Sequence, residues 1–123
     1  MTPAVDSIDE KKLIADVECG MKMLEDAVAA NNIVEDKDNA VYIALGNTGC
    51  IGRLAYTHVI GDPQDVYTLT LGAMMSGRDD LHMTYDFTGT KEAFCRYARE
   101  KAYDSERFAK FIISCVHDIL DEN

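Results

Sequence analysis

The chain has 123 residues, is 47% hydrophobic and 28% charged, and carries a formal net charge of −10 at pH 7. This length predicts a single domain over residues 1–123, and the composition is typical of a globular protein rather than a disordered one. No apolar run reaches the roughly 18 residues that a membrane-spanning helix needs, so we expect no membrane segment. A net negative protein repels phosphate backbones, which disfavours direct binding to nucleic acid.

The four cysteines favour a reducing compartment. No two of Cys19, Cys50, Cys95 and Cys115 have the two-residue spacing that is typical of zinc-binding or redox pairs. Residues 1–10 carry three acids and no Lys or Arg, which is unlike a secretory signal. We therefore predict free thiols, a cytoplasmic localisation, no metal and no cofactor.

The first half of the chain predicts one helix followed by a β-hairpin. Residues 7–10 have the form of a capping box, and behind them apolar residues recur at three- and four-residue spacing over roughly 22 residues. Gly20 interrupts this stripe, which predicts either a close approach of another element or a tolerated glycine. Residues 40–60 predict two strands around a turn at 46–49, because β-branched and aromatic residues flank turn residues there.

The second half predicts helices around one further strand. Residues 62–63 (Asp-Pro) open a predicted helix that residues 76–77 (Ser-Gly) end. Residues 81–87 alternate apolar and polar side chains, which predicts a half-buried strand. Residues 90–120 predict either one long helix or two, with 104–105 (Asp-Ser) as a possible second cap. The predicted fold is α+β and two-layered, with element order α-β-β-α-β-α-α: a three-stranded sheet, made of the hairpin plus one strand, is covered by about four helices.

No arrangement of catalytic side chains is recognisable in the sequence. Cys50 and His58 are eight residues apart, about 25 Å on a regular strand, which is too far for a nucleophile and its base. His82 and Asp86 share one side of a predicted strand but lie about 13 Å apart, too far to hold one metal ion. We therefore predict that the protein is not an enzyme.

The string from Gly46 to Gly52 is a candidate for binding a small, nucleotide-like ligand. Its regularly spaced glycines would let backbone amides approach a phosphate, and Arg53 would add a cation. The Lys-Ser/Thr end of a phosphate-binding Walker loop is missing, and a predicted strand follows instead of a helix, so a hairpin turn with a glycine bulge is favoured. The candidate ligand-binding residues are Gly46, Asn47, Thr48, Gly49 and Arg53.

The distribution of charge and of methionine points to binding at the surface. Residues 1–40 hold ten acidic and four basic side chains, which either attract a basic partner or only maintain solubility. The methionines of the first predicted helix and the adjacent Met74 and Met75 supply adaptable apolar surface, which predicts a protein partner or self-association. The candidate partner-binding residues are Asp9, Asp16, Glu25, Met74 and Met75.

Residues 41–47, 53–60 and 61–75, with Gly-Asp-Pro at 61–63 and Met-Met at 74–75, resemble small proteins of bacteriophages and integrative elements. In those proteins a hairpin runs through a turn of this kind into a helix that ends in a hydrophobic pair. The resemblance covers about a quarter of the chain and implies a phage or mobile-element origin. Such genomes encode many small acidic proteins that act by binding, among them inhibitors of host defence, and the motif implies no catalytic residue.

The predicted function is therefore that of a small acidic binding protein that acts on a host protein, for example as an inhibitor of host defence. One alternative is an acidic mimic of nucleic acid, which requires acids on one contiguous face formed by residues 6–38 and 62–86. Another is a small-ligand binder that uses residues 46–53. A carboxylate face, a pocket beside that loop or an apolar patch would distinguish the three. The lysines among the acids of the first helix disfavour mimicry.

Overall fold

Three helices and a four-stranded antiparallel sheet form an α+β fold in the computed structural model, which describes residues 5–30, 39–59, 65–75 and 85–121. After a 3-10 turn at Val5–Ser7, the elements are α1 (Glu10–Ala29), β1 (Asn39–Ala44), β2 (Cys50–Val59), β3 (Val66–Met75), β4 (Tyr85–Gly89), α2 (Lys91–Arg99) and α3 (Lys101–Asp121). The strands are neighbours in chain order, so the sheet is a meander with β1 and β4 at its edges.

The predicted α+β class is confirmed, but the prediction of a helix over 62–77 is wrong. The structure has the strand β3 there, paired antiparallel with β2 from Val66 to Met75. The element order within the described residues is therefore α-β-β-β-β-α-α instead of α-β-β-α-β-α-α, with four strands and three helices in place of three strands and about four helices.

Burial along β3 shows why the helical interpretation failed. Tyr67, Leu69 and Leu71 are buried on one face, and Thr68 and Thr70 between them are half-exposed. Apolar residues three and four positions apart also occur in this segment, so periodicity alone did not distinguish a helix from a strand. Pairing with β2 on one side and β4 on the other, together with the β-branched and aromatic composition, favours the strand.

The later elements follow the prediction more closely. The predicted strand at 81–87 overlaps β4, and residues 81–84 lie outside the described residues. The question of one helix or two over 90–120 is answered by α2 and α3, which are separated at Glu100. The break falls before the cap that the sequence suggested, since Ser105 is a buried residue inside α3.

The first helix begins at a different cap from the predicted one. The Asp9 side chain accepts a hydrogen bond from the backbone N–H of Lys12 at 3.2 Å, so Asp9 is the N-cap of α1. Ser7, the predicted cap, instead accepts a hydrogen bond from the N–H of Asn47 at 2.7 Å. The capping-box interpretation is wrong because the β1–β2 turn takes up the Ser7 hydroxyl.

None of the described helices has the length and hydrophobicity that crossing a bilayer requires.

The core lies between the helices and one face of the sheet. A Cβ added at Gly20 of α1 would lie 3.3 Å from both Val41 Cγ1 and Leu54 Cδ1, so of the two alternatives left open for this glycine the structure shows the close approach. A Cβ added at Gly52 would meet Ile112 Cγ2 of α3 at 3.5 Å, so this helix covers the same face. The largest fully buried side chains are Tyr56, Phe94, Phe108, Met21, Leu45, Leu54, Leu69, Leu71, Ile112, Val17, Val28 and Val116.

Candidate functional site

The turn between β1 and β2 contains the predicted ligand loop. Gly46 and Gly49 have φ values of 57° and 76°, so both adopt the left-handed conformation that favours glycine. A Cβ at Gly46 would lie 2.7 Å from the backbone oxygen of Ser7, whereas a Cβ at Gly49 would have only Met75 Sδ nearby, at 3.9 Å. The N-terminal segment therefore covers one end of this loop.

Three backbone amides of the loop, those of Asn47, Thr48 and Cys50, already have partners. Besides the bond from Asn47 to Ser7, the N–H of Thr48 donates to the carbonyl of Leu45 at 3.3 Å, and the N–H of Cys50 donates to Thr48 Oγ1 at 3.0 Å. A phosphate would have to displace these bonds before it could use the same amides. This geometry favours the predicted hairpin turn over the ligand cradle.

Arg53 lies on the face of the sheet opposite the helices. Its Cα is paired with those of Tyr42 in β1 and Gly72 in β3, whereas its neighbour Gly52 faces α3. Arg53 therefore belongs to a different surface from the backbone amides with which it was grouped.

The outer face of the sheet is made of the strand residues that alternate with those of the core. Ala55 shows the separation: it is buried, yet it stands apart from the hydrophobic core cluster. By strand register the outer face has fifteen positions, and two of them, Arg53 and Asp86, are charged. We define the outer face by these positions: Ala40, Tyr42, Ala44, Ile51, Arg53, Ala55, Thr57, Val59, Val66, Thr68, Thr70, Gly72, Met74, Asp86 and Thr88.

A groove runs along the edge of the sheet between α1 and β1. Two depressions of about 260 and 310 Å³ lie there and share Lys12, Asp16 and Ala44. The larger is also lined by Met23 and Tyr42, which are 57% and 60% exposed and are the two exposed large hydrophobic residues of the described chain. We define the edge groove by Lys12, Asp16, Cys19, Met23, Tyr42 and Ala44.

The predicted acidic partner-binding residues do not form one surface. Asp9 caps α1 and, with Asp16, borders the edge groove, where Asp16 forms an ion pair with Lys12 at 2.8 Å. The Glu25 side chain is only 13% exposed and pairs with Arg99 of α2 at 3.2 Å. Two of the three acids therefore contribute to the fold as well as to the surface charge.

The predicted partner-binding methionines also separate. Met74 is half-exposed on the outer face, whereas Met75, one residue on, points to the other side of β3 and packs against the core. Met21 is fully buried in α1, and Met23 lies in the edge groove. Successive side chains of β3 point to opposite faces of the sheet, so Met74 and Met75 are separated. In the predicted helix both were expected to contribute to one binding surface.

Sequence analysis did not predict the histidine–carboxylate pair at the far end of β2. His58 Nε2 lies 2.9 Å from Asp65 Oδ2, and the imidazole stacks on Tyr67 with a centroid distance of 4.6 Å. Register reveals the cluster, because His58 is the cross-strand partner of Tyr67. Cys50 is paired with Met75 at the opposite end of β2, so the structure keeps this cysteine away from the histidine, as predicted. His82 lies outside the described residues.

Tyr56 lies beside this pair in the aromatic part of the core. Its ring centroid is 5.6 Å from that of Tyr67 and 3.6 Å from that of Phe94. Its hydroxyl is buried without a hydrogen-bond partner in the described part of the chain, and burial raises the pKa of Tyr56 far above its ordinary value. A phenol held neutral in this way packs as an aromatic side chain and supplies no base.

The four cysteines differ in accessibility. None of the four forms a disulfide bond, and Cys19 is exposed while Cys50, Cys95 and Cys115 are buried. Burial, followed by the nearby Glu25 carboxylate, raises the pKa of the Cys95 thiol. Among the described residues, no three His, Cys, Asp or Glu side chains are placed to hold one metal ion.

Thiol labelling of the native protein is expected to modify Cys19 rapidly and the other three cysteines slowly. Thiolate is the reactive species, and a raised pKa lowers its fraction at Cys95 at neutral pH, while burial limits access to Cys50 and Cys115. A chromogenic disulfide reagent at pH 7, followed by the same assay in denaturant, measures both phases. A Cys19→Ser variant should lose the fast phase, and a fast phase that persists in this variant would contradict the assignment.

Comparisons of the chain with protein-family models, with curated proteins and with solved structures each found no match. The resemblance to small proteins of phages and integrative elements therefore stays a prediction.

Proposed function

We propose that the protein acts by binding another protein through the outer face, without catalysis of its own. In this proposal it is a cytoplasmic protein of phage or mobile-element origin that occupies a surface of a host protein, as an inhibitor of host defence would. The observation that supports it is the composition of the outer face, which carries two charged residues of opposite sign, Arg53 and Asp86, among fifteen positions in a chain that is 28% charged.

The outer face has the composition of an interface. An antiparallel sheet with one solvated face normally alternates apolar residues inside with polar residues outside. Here the outer positions are mainly Ala, Thr and larger apolar side chains, around Tyr42, Arg53 and Met74. Loss of Lys, Asp and Glu with gain of Tyr, Met and Arg is the pattern found at the centres of protein interfaces.

The charge of the chain indicates the chemistry of the partner. With a net charge of −10, the protein attracts surfaces that carry Lys and Arg and repels acidic ones. Because the outer face itself carries little charge, the partner should present an apolar contact area bordered by basic residues. Attraction between the borders would speed association, and apolar burial would hold the complex.

Replacing Met74 with lysine is expected to weaken binding of the partner by roughly tenfold or more, because it places a cation where apolar surface is buried. His117→Lys adds a cation at an exposed position of α3, on the helical side, and serves as the matched control. A partner captured with the unaltered protein would be purified and its dissociation constant measured for all three forms.

The comparison between the two variants decides the test. Loss of affinity in Met74→Lys with retention in His117→Lys supports the outer face. Equal affinities for the two variants, or loss in His117→Lys alone, would place the partner elsewhere. Thermal unfolding of each variant checks that the fold is retained.

Neither alternative function gains support from the described residues. Lysines pair with acids along α1, as in Lys12–Asp16 at 2.8 Å and Lys22–Asp26 at 3.6 Å, which breaks up a phosphate-like row of carboxylates. Residues 31–38, 62–64 and 76–84 of the predicted acidic face lie outside the described residues. The small-ligand alternative requires loop amides, and those of Asn47, Thr48 and Cys50 are already engaged.

A further inference from the structure

We propose that the edge groove is occupied by a second copy of this chain. In the resulting two-fold dimer, the two β1 strands pair antiparallel and the two α1 helices lie antiparallel beside each other above the joined sheet. This goes beyond the proposed function, because the contact is made by α1 and β1; the outer-face residues that it involves, Ala40, Tyr42 and Ala44, lie at the border of that face.

The edge of the sheet at β1 is unprotected. Edge strands of soluble proteins usually carry lysine, proline or a bulge that prevents pairing with another chain. The six residues of β1, Asn39–Ala44, include no charge and no proline, and within the described residues only β2 pairs with this strand. Exposed Met23 of α1 lies beside this strand, and exposed Tyr42 lies in its middle, on the outer face. Such an edge is suited to the addition of a strand.

The direction of α1 relative to β1 determines where the two-fold axis can lie. Asp16 lines the groove with Ala44, and Gly20 faces Val41, so α1 runs in the opposite direction to β1. The middle of the exposed helix face, at Cys19, therefore lies at about the level of Tyr42 in the middle of the strand. One axis can pass through both places, and it would relate each residue to its copy in an isologous contact.

The charge pattern of α1 is complementary to that of a second copy about this axis. With antiparallel helices and an axis at Cys19, a residue of one copy faces the residue of the other copy for which the two residue numbers add up to 38. Lys12 then faces the second copy's Asp26, and Asp16 faces the second copy's Lys22. All four side chains are at least partly exposed, and each already has a partner of opposite sign one turn away in its own helix. Self-association thus joins two ion pairs into one alternating group of four charges on each side of the axis.

The same axis also matches the apolar residues. Met23 faces the small side chain of the second copy's Ala15, and in the strand Ala40 faces Ala44 while Val41 faces Ile43 across the new pairing. The joined sheet has eight strands, with both outer faces on one side. An unrelated extended peptide would satisfy the edge of β1, but its addition would leave the charge order of α1 unexplained. The self-complementary pattern therefore favours a second copy.

The proposal is tested by exchanging ion pairs within α1. K12D/D16K and K22D/D26K each keep an ion pair within the helix but place like charges opposite each other in the dimer. Each variant alone should therefore dimerise at least roughly tenfold more weakly than the unaltered chain. Mixed together, the two variants place opposite charges at all four contacts, so they should form a heterodimer of restored affinity. Light scattering and sedimentation measure the masses.

A control exchange and a second readout keep the test decisive. E106K/K110E swaps the corresponding ion pair of α3, away from the groove, and should dimerise like the unaltered chain. A short bis-maleimide should link two unaltered chains through Cys19, the exposed cysteine, even if an exchanged variant fails to fold. The proposal is overturned if the unaltered chain is monomeric at roughly 100 μM, if Cys19 does not link, or if folded variants fail to recover on mixing. A monomer that gains a bound extended peptide at the β1 edge would assign the groove to a peptide instead.

Discussion

Replacing Ile112 with alanine is expected to lower the free energy of unfolding by about 2–5 kcal/mol. Ile112 is fully buried in α3, and its Cγ2 lies 3.5 Å from the position that a Cβ on Gly52 would occupy. The helix and the sheet therefore meet at this side chain, and the lost methyl groups leave a cavity that neither can readily fill. Urea denaturation, with midpoint and slope both fitted, measures the change.

Ile113→Ala is the matched control, because Ile113 is only partly buried in the next position of α3. The same atoms are removed where water can replace them, so the loss should be less than half as large. A loss below about 0.5 kcal/mol for Ile112→Ala, or equal losses for the two variants, would show that this helix is peripheral to the core.

Gly46→Ala is expected to destabilise the protein by about 2–5 kcal/mol, the sum of two effects. A side chain at a φ of 57° costs about 1–2 kcal/mol in backbone strain. The added Cβ would also lie 2.7 Å from the carbonyl oxygen of Ser7 and close to its hydroxyl, which adds the cost of overpacking, about 1–3 kcal/mol. Urea denaturation of this variant measures the sum.

Gly49→Ala separates the two effects. Gly49 has a φ of 76°, but its added Cβ would have only Met75 Sδ within 4 Å, at 3.9 Å. This variant should therefore have the backbone strain without the overpacking, and its free energy of unfolding should fall by only about 1–2 kcal/mol. If the two variants lose the same amount, the N-terminal segment does not press on the loop as the structure shows.

The elements that the sequence predicted well are those whose signal is local. The stripe of α1, from Leu13 to Val28, is buried as its spacing predicted, and the apolar residues that recur at helical spacing in α3, from Phe108 to Ile119, are buried too. The hairpin around Gly46 and Gly49 is confirmed, with Ile43 inside and Tyr42 outside. In each case, neighbours in the sequence determine which face is buried.

The features that the sequence did not predict depend on distant partners. β3 is a strand because it lies between two others, although its residues also fit a helical spacing. The Ser7 hydroxyl binds a loop forty residues away, and Glu25 pairs with Arg99, seventy-four residues away. The outer face and the edge groove exist only once four strands are aligned and α1 lies beside them. No local pattern contains this information.

The meander also bears on the order in which the chain assembles. Each strand pairs with the strand before it in the chain, so the described sheet forms by closing short loops, which costs little chain entropy. The helices differ, because α1 packs against α2 and α3 from the other end of the sequence. The topology therefore favours early formation of the strand pairs, with the two ends of the chain joining later. The packing of α1 against α2 and α3 would then be among the last parts of the fold to form.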